Sequence, residues 1–238
     1  MMEKQKLLPD RAKILSGSAL KVIAVVTMLI DHIGSHLTSR SYVLLTVAGN
    51  SIRLYPIMRI IGRIAFPLFA FLLVEGFVHT RNRVRYGLSL FICALISEIP
   101  WNLVHGGKLL YGGQNVFFTL TVGFLGLCVI EYFKGRPILQ AAALIGLAVF
   151  VTLLRCDYSI HGYAFIILLY ALRNHEILRI FSSFALQNHW YVLMAFLPIS
   201  LYNGKRGFIK GSVLKYAFYL FYPAHLLIIY LIKYKVLF

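Results

Sequence analysis

Residues 19–34 read ALKVIAVVTMLIDHIG, and this stretch decides the fold class of the chain. The thirteen residues that end at Gly34 are all apolar or small, except for Thr27 and the adjacent pair Asp31 and His32. Such a run is typical of a helix inside a membrane, where a charged side chain near the bilayer centre costs roughly 2.5–3.5 kcal/mol on insertion scales. An ionisable pair at that depth is therefore a candidate functional site.

The composition of the whole chain indicates the same class. Of its 238 residues, 60% are hydrophobic and 13% are charged, and the mean hydropathy is +0.78, whereas a soluble domain has about 25% charged residues. The apolar residues come in long unbroken runs, without the two-residue alternation of a β-barrel. From spans of about 20 residues, we predict an all-α, polytopic transmembrane helix bundle of roughly 8–10 helices.

The formal net charge of +16 comes from Lys and Arg residues that flank the apolar spans, which is the pattern of the positive-inside rule. We therefore expect no nucleic-acid partner. Residues 1–17 form a basic leader that the rule places in the cytoplasm, and residues 18–238 form a single domain in the bacterial cytoplasmic membrane. Cys93, Cys128 and Cys156 are isolated in or beside apolar runs, so we expect no metal site.

Polar residues of several spans converge on the depth of Asp31 and His32. With the N-terminus inside, this pair lies roughly 20 Å along the first span. Four other segments bring polar side chains to that level, namely Arg63, Glu98, Gln114 with Asn115, and Asp157 with His161. Side chains that only extend toward the lipid headgroups would populate both ends of the spans equally. The convergence indicates a polar site inside the bundle.

Two of these features have structural as well as functional interpretations. Asp31 and Arg63 are predicted to pair between helices, and a buried ion pair of this kind need not be catalytic. His225 follows Tyr-Pro-Ala in the middle of the final span, where a functional and a structural role fit the sequence equally well.

The loop 202–212, YNGKRGFIKGS, is a separate candidate site. Glycines flank Lys205 and Arg206, and such a flexible basic loop can approach phosphates. On eight simple spans the loop would lie outside, whereas a break at 187–188 would return it to the cytoplasm. The side of the membrane on which it lies stays open.

Six segments occur in order along the chain, namely ALKVIAVVTMLIDHIG, GRIAFPLFAFLLVEGF, SEIPWNL, QNVFFTLT, DYSIHGYAF and LYNGKRG. In this combination the chain resembles the TraX family over residues 18–232. The namesake of that family acetylates the N-terminus of the conjugative F pilin, and the family is similar to the wider group of membrane acyltransferases that includes heparan-glucosaminide acetyltransferase. The resemblance implies acetyl-CoA as acyl donor on the cytoplasmic side and an acceptor in the membrane or beyond it, without implying pilin as the acceptor here.

Acetyl transfer needs a base for the acceptor's proton and donors for the developing oxyanion. His32 is the first candidate base, because imidazole titrates close to neutral pH, and His161 is the second. Adjacent helical residues point about 100° apart, so Asp31 is poorly placed to orient the ring, and Glu98 or Asp157 from another span is the expected partner. The predicted donors are Trp101, Asn102, Gln114 and Asn115, and the predicted contacts to CoA phosphates are Asn203, Lys205 and Arg206.

Two other classes of function fit the same residues. In a proton-coupled transporter or lipid flippase, a proton relay would consist of Asp31, His32, Glu98 and Asp157. The sequence lacks the repeat symmetry and the paired broken helices of many transporters. In a non-enzymatic assembly scaffold, the polar groups would only join helices. For an enzyme, the acceptor stays open between a glycan, a lipid and a protein N-terminus, as do the acyl chain preference and assembly into a homo-oligomer.

Overall fold

A computed structural model describes residues 7–47, 50–187, 190–209 and 211–236. Within these ranges the chain forms ten α-helices and one antiparallel β-hairpin. The helices are α1 (Gly17–His36), α2 (Leu54–Gly62), α3 (Ala65–His79), α4 (Arg83–Gly106), α5 (Val116–Tyr132), α6 (Pro137–Leu153), α7 (Ser159–Ala171), α8 (Glu176–Gln187), α9 (Tyr191–Ser200) and α10 (Ser212–Leu231). The strands are β1 (Val43–Val47) and β2 (Asn50–Arg53). The prediction of a helical bundle of this size is confirmed, with the hairpin as a small addition.

In the part of the chain that the structure describes, four helical stretches are long and apolar enough to cross a membrane, namely Gly17–His36, Leu54–His79, Arg83–Gly106 and Tyr216–Tyr234. The second stretch contains both α2 and α3, which a turn at residues 63–64 separates. Pro67 explains this turn, because proline has no N–H for the carbonyl four positions earlier and its ring clashes with that carbonyl. The carbonyl concerned belongs to Arg63, so the break places Arg63 at the junction of two helices.

The bundle has two ends, which we call the basic end, where α1 begins, and the distal end, where α1 finishes. At the basic end the leader runs beside the loop that follows α9. The N–H of Asn203 donates to the carbonyl of Leu15 at 2.9 Å, and the N–H of Gly17 donates to the carbonyl of Lys205 at 2.8 Å. The loop 202–209 therefore lies on the same side as the leader.

Helices α8 and α9 enter the bundle from the basic end and return to it. Glu176, at the start of α8, accepts a hydrogen bond from the N–H of Leu7 at 2.9 Å. Tyr202, just after α9, forms a β-bridge with Leu15. The stretch that the sequence left open between one span and a broken pair is thus a helical hairpin. Part of its predicted break, residue 188, lies outside the described residues.

Helix α3 lies at the centre of the bundle and contacts α1, α5, α7 and α9. Before Glu75 and His79 near its end, its residues are apolar on all sides and mostly buried, as expected for a helix surrounded by other helices. Helix α10 packs mainly against α4 and only lightly against α1. This arrangement leaves space between α1, α3, α4 and α10, and the candidate site occupies that space.

Candidate active site

A cavity of about 1010 Å³ runs through the bundle between α1, α3, α4 and α10. Its wall includes Gly17 and Arg206 at the basic end, and His36 and His105 at the distal end. On α1, the lining residues extend over about 28 Å of helix. The hydrocarbon core of a bilayer is about 30 Å thick. The cavity therefore connects the two ends of the bundle.

The wall of the cavity near the basic end is rich in cations. Four positively charged side chains line it there, namely Lys21, Arg81, Arg85 and Arg206. The acidic residue on this part of the wall is Glu75, whose Oε2 lies 3.6 Å from Nε2 of His79. The three arginines are exposed. We call this part of the wall the cationic mouth, and its charge attracts anions.

Asp31 pairs with a different arginine from the one that the sequence predicted. Its Oδ2 lies 2.7 Å from Nη1 of Arg59, one turn before Arg63 in the chain. Helices α1 and α2 approach closely because Gly62 has no side chain, and a Cβ there would overlap the side chain of Asp31. Arg59 lies within α2 and faces Asp31 at this short separation, whereas Arg63 lies on the turn after the helix and is directed elsewhere.

Arg63 contacts the segment between α6 and α7. Its Nη1 donates to Oη of Tyr158 at 3.5 Å, and the neighbouring Asp157 lines the same part of the cavity. The φ angles of Tyr158 and Ser159 are 62° and 38°, a left-handed conformation that costs a non-glycine residue on the order of 1–3 kcal/mol. Such a conformation persists only where the surrounding structure holds it, and it clusters at functional sites.

Helix α5 and the residue two positions before it hold this strained segment. Thr119 donates its hydroxyl to the carbonyl of Asp157. The N–H of Asp157 donates to the carbonyl of Gln114 at 2.8 Å, and the N–H of Gln114 donates to the carbonyl of Arg155 at 3.2 Å. Gln114 therefore positions Asp157 through backbone hydrogen bonds.

Histidines from three helices meet at the distal part of the cavity. Nδ1 of His32 lies 2.6 Å from Nε2 of His225, and the two rings lie nearly in one plane, edge to edge, with centroids 4.9 Å apart. His36 and His105 pack edge to face, with centroids 4.7 Å apart. Within the described ranges, the side chain that contacts a ring nitrogen of His32 is therefore His225, and not the expected carboxylate of Glu98 or Asp157.

Several residues that the sequence selected as catalytic groups or donors hold helices together instead. Nδ2 of Asn115 donates to Oε2 of Glu98 at 2.6 Å and to the carbonyl of Ala94 at 2.8 Å. Nδ2 of Asn102 donates to the carbonyl of Leu109 at 2.8 Å. Neither Glu98, Asn102, Gln114 nor Asn115 is among the described residues of the cavity wall. Glu98, Asn102 and Asn115 connect α4 to the loop before α5, whereas Gln114 bonds to the segment between α6 and α7.

Trp101 lines the cavity, but its Nε1–H donates to the carbonyl of Gly113 at 2.8 Å. The cationic donors that face the cavity at this level are Arg59 and Arg63, which the donor prediction had omitted. Both belong to the stretch around the break before Pro67. Charged residues beside a proline within an apolar span were therefore the feature of the sequence that could have identified these donors.

The second candidate base lies outside the cavity wall, whereas one of the predicted residues of the basic loop lines it. His161 is exposed near the start of α7 and lies outside the cavity wall. Of the three loop residues, Arg206 lines the cationic mouth. Asn203 accepts a hydrogen bond from the N–H of Lys205 at 2.9 Å, so this pair shapes the loop.

Asp157 lies in the loop between α6 and α7, where burial raises the pKa of its carboxyl to about 6 against the opposing charge of Arg63. The folded state therefore binds a proton more readily than the unfolded chain, whose carboxyl titrates near the ordinary value of about 4. The resulting stabilisation is complete below about pH 4 and is lost as the pH rises through about 6.

Replacing Asp157 by Asn should therefore stabilise the protein at neutral pH, by roughly 3 kcal/mol. Asn cannot ionise, and its Oδ1 can still accept the hydrogen bond from the N–H of Tyr158. The gain should shrink toward zero near pH 4. Thermal unfolding in detergent at several pH values measures this difference. An unfolding temperature that shifts equally at all pH values would contradict it.

The family relationship follows from comparison with known proteins. A family model described as TraX protein matches residues 16–233. The chain belongs to the TraX family. This TraX chain is similar to the probable fimbrial assembly protein FimC, serogroup H1, of Dichelobacter nodosus, with 29% identity over 241 residues that cover 89% of this chain and 93% of that protein. No solved structure matches it.

The TraX match contains the whole described wall of the cavity, which runs from Gly17 to Tyr222 in the chain. It also contains His225, which lies behind His32. The resemblance seen in the six sequence segments is thus confirmed for the family. Both the cationic mouth and the histidine cluster belong to the TraX part of the chain.

Proposed function

We propose that this TraX-family protein is an integral membrane acetyltransferase that moves an acetyl group from acetyl-CoA to an amine or hydroxyl at the distal end. One observation carries the proposal: a single cavity has the cationic mouth at one end and carries His32, Arg63 and Asp157 on its wall farther along. An anionic donor could enter at one end while an acceptor approaches from the other. The basic end would then face the cytoplasm, in agreement with the positive-inside rule.

The cationic mouth suits the donor. Acetyl-CoA carries several phosphates, and guanidinium groups bind phosphate oxygens through paired, charge-assisted hydrogen bonds. Arg81, Arg85 and Arg206 are the exposed guanidinium groups on the described wall, and Lys21 lies deeper along α1. The apolar wall beyond them includes Phe69 and Phe117. We assign the phosphates to the mouth and the chain that carries the acyl group to this apolar section.

The residues at the distal part of the cavity supply acid–base and electrostatic chemistry. Acetyl-CoA, when bound, supplies an activated acyl group. His32 accepts the proton that the acceptor amine or hydroxyl loses. Arg63 holds a positive charge, hydrogen-bonded to Tyr158, where negative charge on an acyl oxygen would be stabilised. The Asp31–Arg59 pair keeps α1 and α2 in contact beside His32.

The acceptor is proposed to be a group at the extracytoplasmic side of the membrane. The name of the FimC relative refers to fimbrial assembly, which favours a subunit of a surface fimbria, modified at an amine. A glycan or a membrane lipid would offer hydroxyls to the same site. Mass spectrometry of exported proteins, surface glycans and lipids, with and without the gene, should show one acetyl group missing from one of these classes.

Purified protein in proteoliposomes tests the donor half of the proposal. We expect it to bind radiolabelled acetyl-CoA and to hydrolyse it slowly when no acceptor is present. Protein that neither binds nor hydrolyses acetyl-CoA would exclude the enzyme. Solute uptake driven by a pH gradient would indicate a proton-coupled transporter instead.

Replacing Arg206 by Ala should raise the KM for acetyl-CoA about tenfold and leave kcat unchanged, because one charge-assisted hydrogen bond to phosphate is worth about 1.5–3 kcal/mol. Arg136→Ala is the matched control, since Arg136 is also exposed at the basic end but lies outside the cavity wall. Steady-state kinetics of acetyl-CoA consumption measure both variants. Equal effects on KM would show that only the overall charge matters.

A further inference from the structure

We infer that His225 is a positioning residue that fixes the tautomer of His32, so that Nε2 of His32 is the atom that carries a lone pair. The inference rests on the proposed function only for the source of the proton that Nε2 accepts. The tautomer itself follows from three groups that lie in a row, namely the carbonyl of Phe221, the ring of His225 and the ring of His32.

The carbonyl of Phe221 sets the first proton. It lies 2.8 Å from Nδ1 of His225. A carbonyl oxygen can only accept a hydrogen bond, so Nδ1 of His225 must carry the hydrogen. A neutral imidazole has one N–H, and therefore Nε2 of His225 carries a lone pair.

That lone pair sets the second proton. Nε2 of His225 lies 2.6 Å from Nδ1 of His32, and two lone pairs at this distance would repel each other. Nδ1 of His32 must then carry the hydrogen and donate it to His225. Because a neutral imidazole has one N–H, Nε2 of His32 has no hydrogen and is available as a base.

Packing keeps the two rings in this arrangement. The side chain of His225 is only 4% exposed. Its ring packs against the ring of Phe221, with centroids 5.0 Å apart, and lies nearly in one plane with the ring of His32, to which it is joined edge to edge. The ring of Tyr222 contacts both histidines edge-on. A buried ring packed against Phe221 and Tyr222 cannot turn to exchange its two nitrogens without displacing these neighbours.

The same row gives the accepted proton a place to go. When Nε2 of His32 gains a proton, the hydrogen on Nδ1 of His32 can move along the 2.6 Å contact to Nε2 of His225. One N–H bond breaks and one forms, and the positive charge moves from the first ring to the second. His225 thus takes the orienting role that the sequence had assigned to a carboxylate from Glu98 or Asp157, because a neutral imidazole with a fixed acceptor nitrogen also accepts the hydrogen bond from Nδ1 of His32.

Nitrogen NMR of protein labelled with ¹⁵N-histidine tests the tautomer without any substrate, since protonated and unprotonated ring nitrogens have well-separated shifts. Loss of signals in His32→Gln and His225→Gln identifies the two rings. At mildly alkaline pH, we expect both histidines to carry hydrogen on Nδ1. A His32 ring protonated on Nε2 in the unmodified protein would overturn the inference.

Two substitutions at position 225 separate positioning from packing. The side-chain oxygen of His225→Gln can accept the hydrogen bond from Nδ1 of His32, whereas His225→Leu fills space without an acceptor. We expect His32 to stay protonated on Nδ1 in His225→Gln, and to be a mixture of its two tautomers in His225→Leu. His161→Gln is the control and should leave the signals of His32 unchanged. An unaltered His32 tautomer in His225→Leu would overturn the inference. If His225→Leu does not fold, the tautomer of His32 in the unmodified protein and in His225→Gln still tests the inference.

Kinetics then separate this inference from the proposed function. We expect His225→Leu to lower kcat at least tenfold with the KM for acetyl-CoA unchanged, and His225→Gln to recover most of that loss. Absence of acetyl transfer together with the expected tautomer would reject the proposed function alone. Acetyl transfer with full kcat in His225→Leu would reject the positioning role alone.

Discussion

Replacing His32 by Ala should reduce acetyl transfer roughly a thousandfold while leaving acetyl-CoA binding and the fold intact. The magnitude follows from the contribution of a positioned general base, which is about 10²–10⁴ in rate. The effect should fall on kcat, because His32 lies at the distal part of the cavity, away from the cationic mouth. Steady-state kinetics with acetyl-CoA and an identified acceptor measure this loss.

His161→Gln is the informative comparison for His32, because the sequence made both residues candidate bases and the structure places His161 on the exposed side of α7. We expect this variant to keep most of its activity. An inactive His161→Gln beside an active His32→Ala would assign the base to α7. An inactive Asp31→Asn beside an active His32→Ala would move the chemistry to Asp31.

Replacing Gly62 by Ala should destabilise the protein by about 2–3 kcal/mol. An added Cβ at this position would overlap the Cβ and the carboxyl of Asp31, which are not the far end of a flexible side chain. Helices α1 and α2 would have to separate, and overpacking of this kind costs about 1–3 kcal/mol. Separation would also weaken the contact between Asp31 and Arg59. Thermal unfolding in detergent should show the loss.

Gly146→Ala is a matched control on α6, since a Cβ there would meet nothing within 4 Å. Within a helix, alanine is intrinsically more favourable than glycine by about 1 kcal/mol. The two variants should therefore shift the unfolding temperature in opposite directions, down for position 62 and up or not at all for position 146. A stabilised Gly62→Ala would mean that α1 and α2 are less tightly packed than the structure shows.

The depth of polar residues along the spans revealed part of the site from the sequence. From the rise per residue along each span, we predicted that Asp31, Arg63 and Asp157 lie at one depth in the membrane. The structure places all three on the wall of one cavity. The same argument selected Glu98 and Asn115, which lie outside that wall and bond to each other. Depth gives a position along a helix and not a direction around it.

The partners of the site residues were the part that sequence reasoning missed. Asp31 bonds to Arg59 because Gly62 lets two helices touch at that point. His32 bonds to His225, which comes from the far end of the chain. Both contacts depend on how helices rotate and approach each other, and no spacing within one helix encodes that.

The sequence alone determined the membrane class, the helical architecture and the level at which polar groups gather, because bilayer thickness and helix rise constrain every span in the same way. The tertiary structure decided which of those groups face a common space. A lightly packed contact between α1 and α10 left the cavity open, and close packing at Gly62 set the Asp31–Arg59 pair beside it. Side-chain direction arises from packing between distant segments, and the packing of α10 against α4 and α1 is what places His225 beside His32.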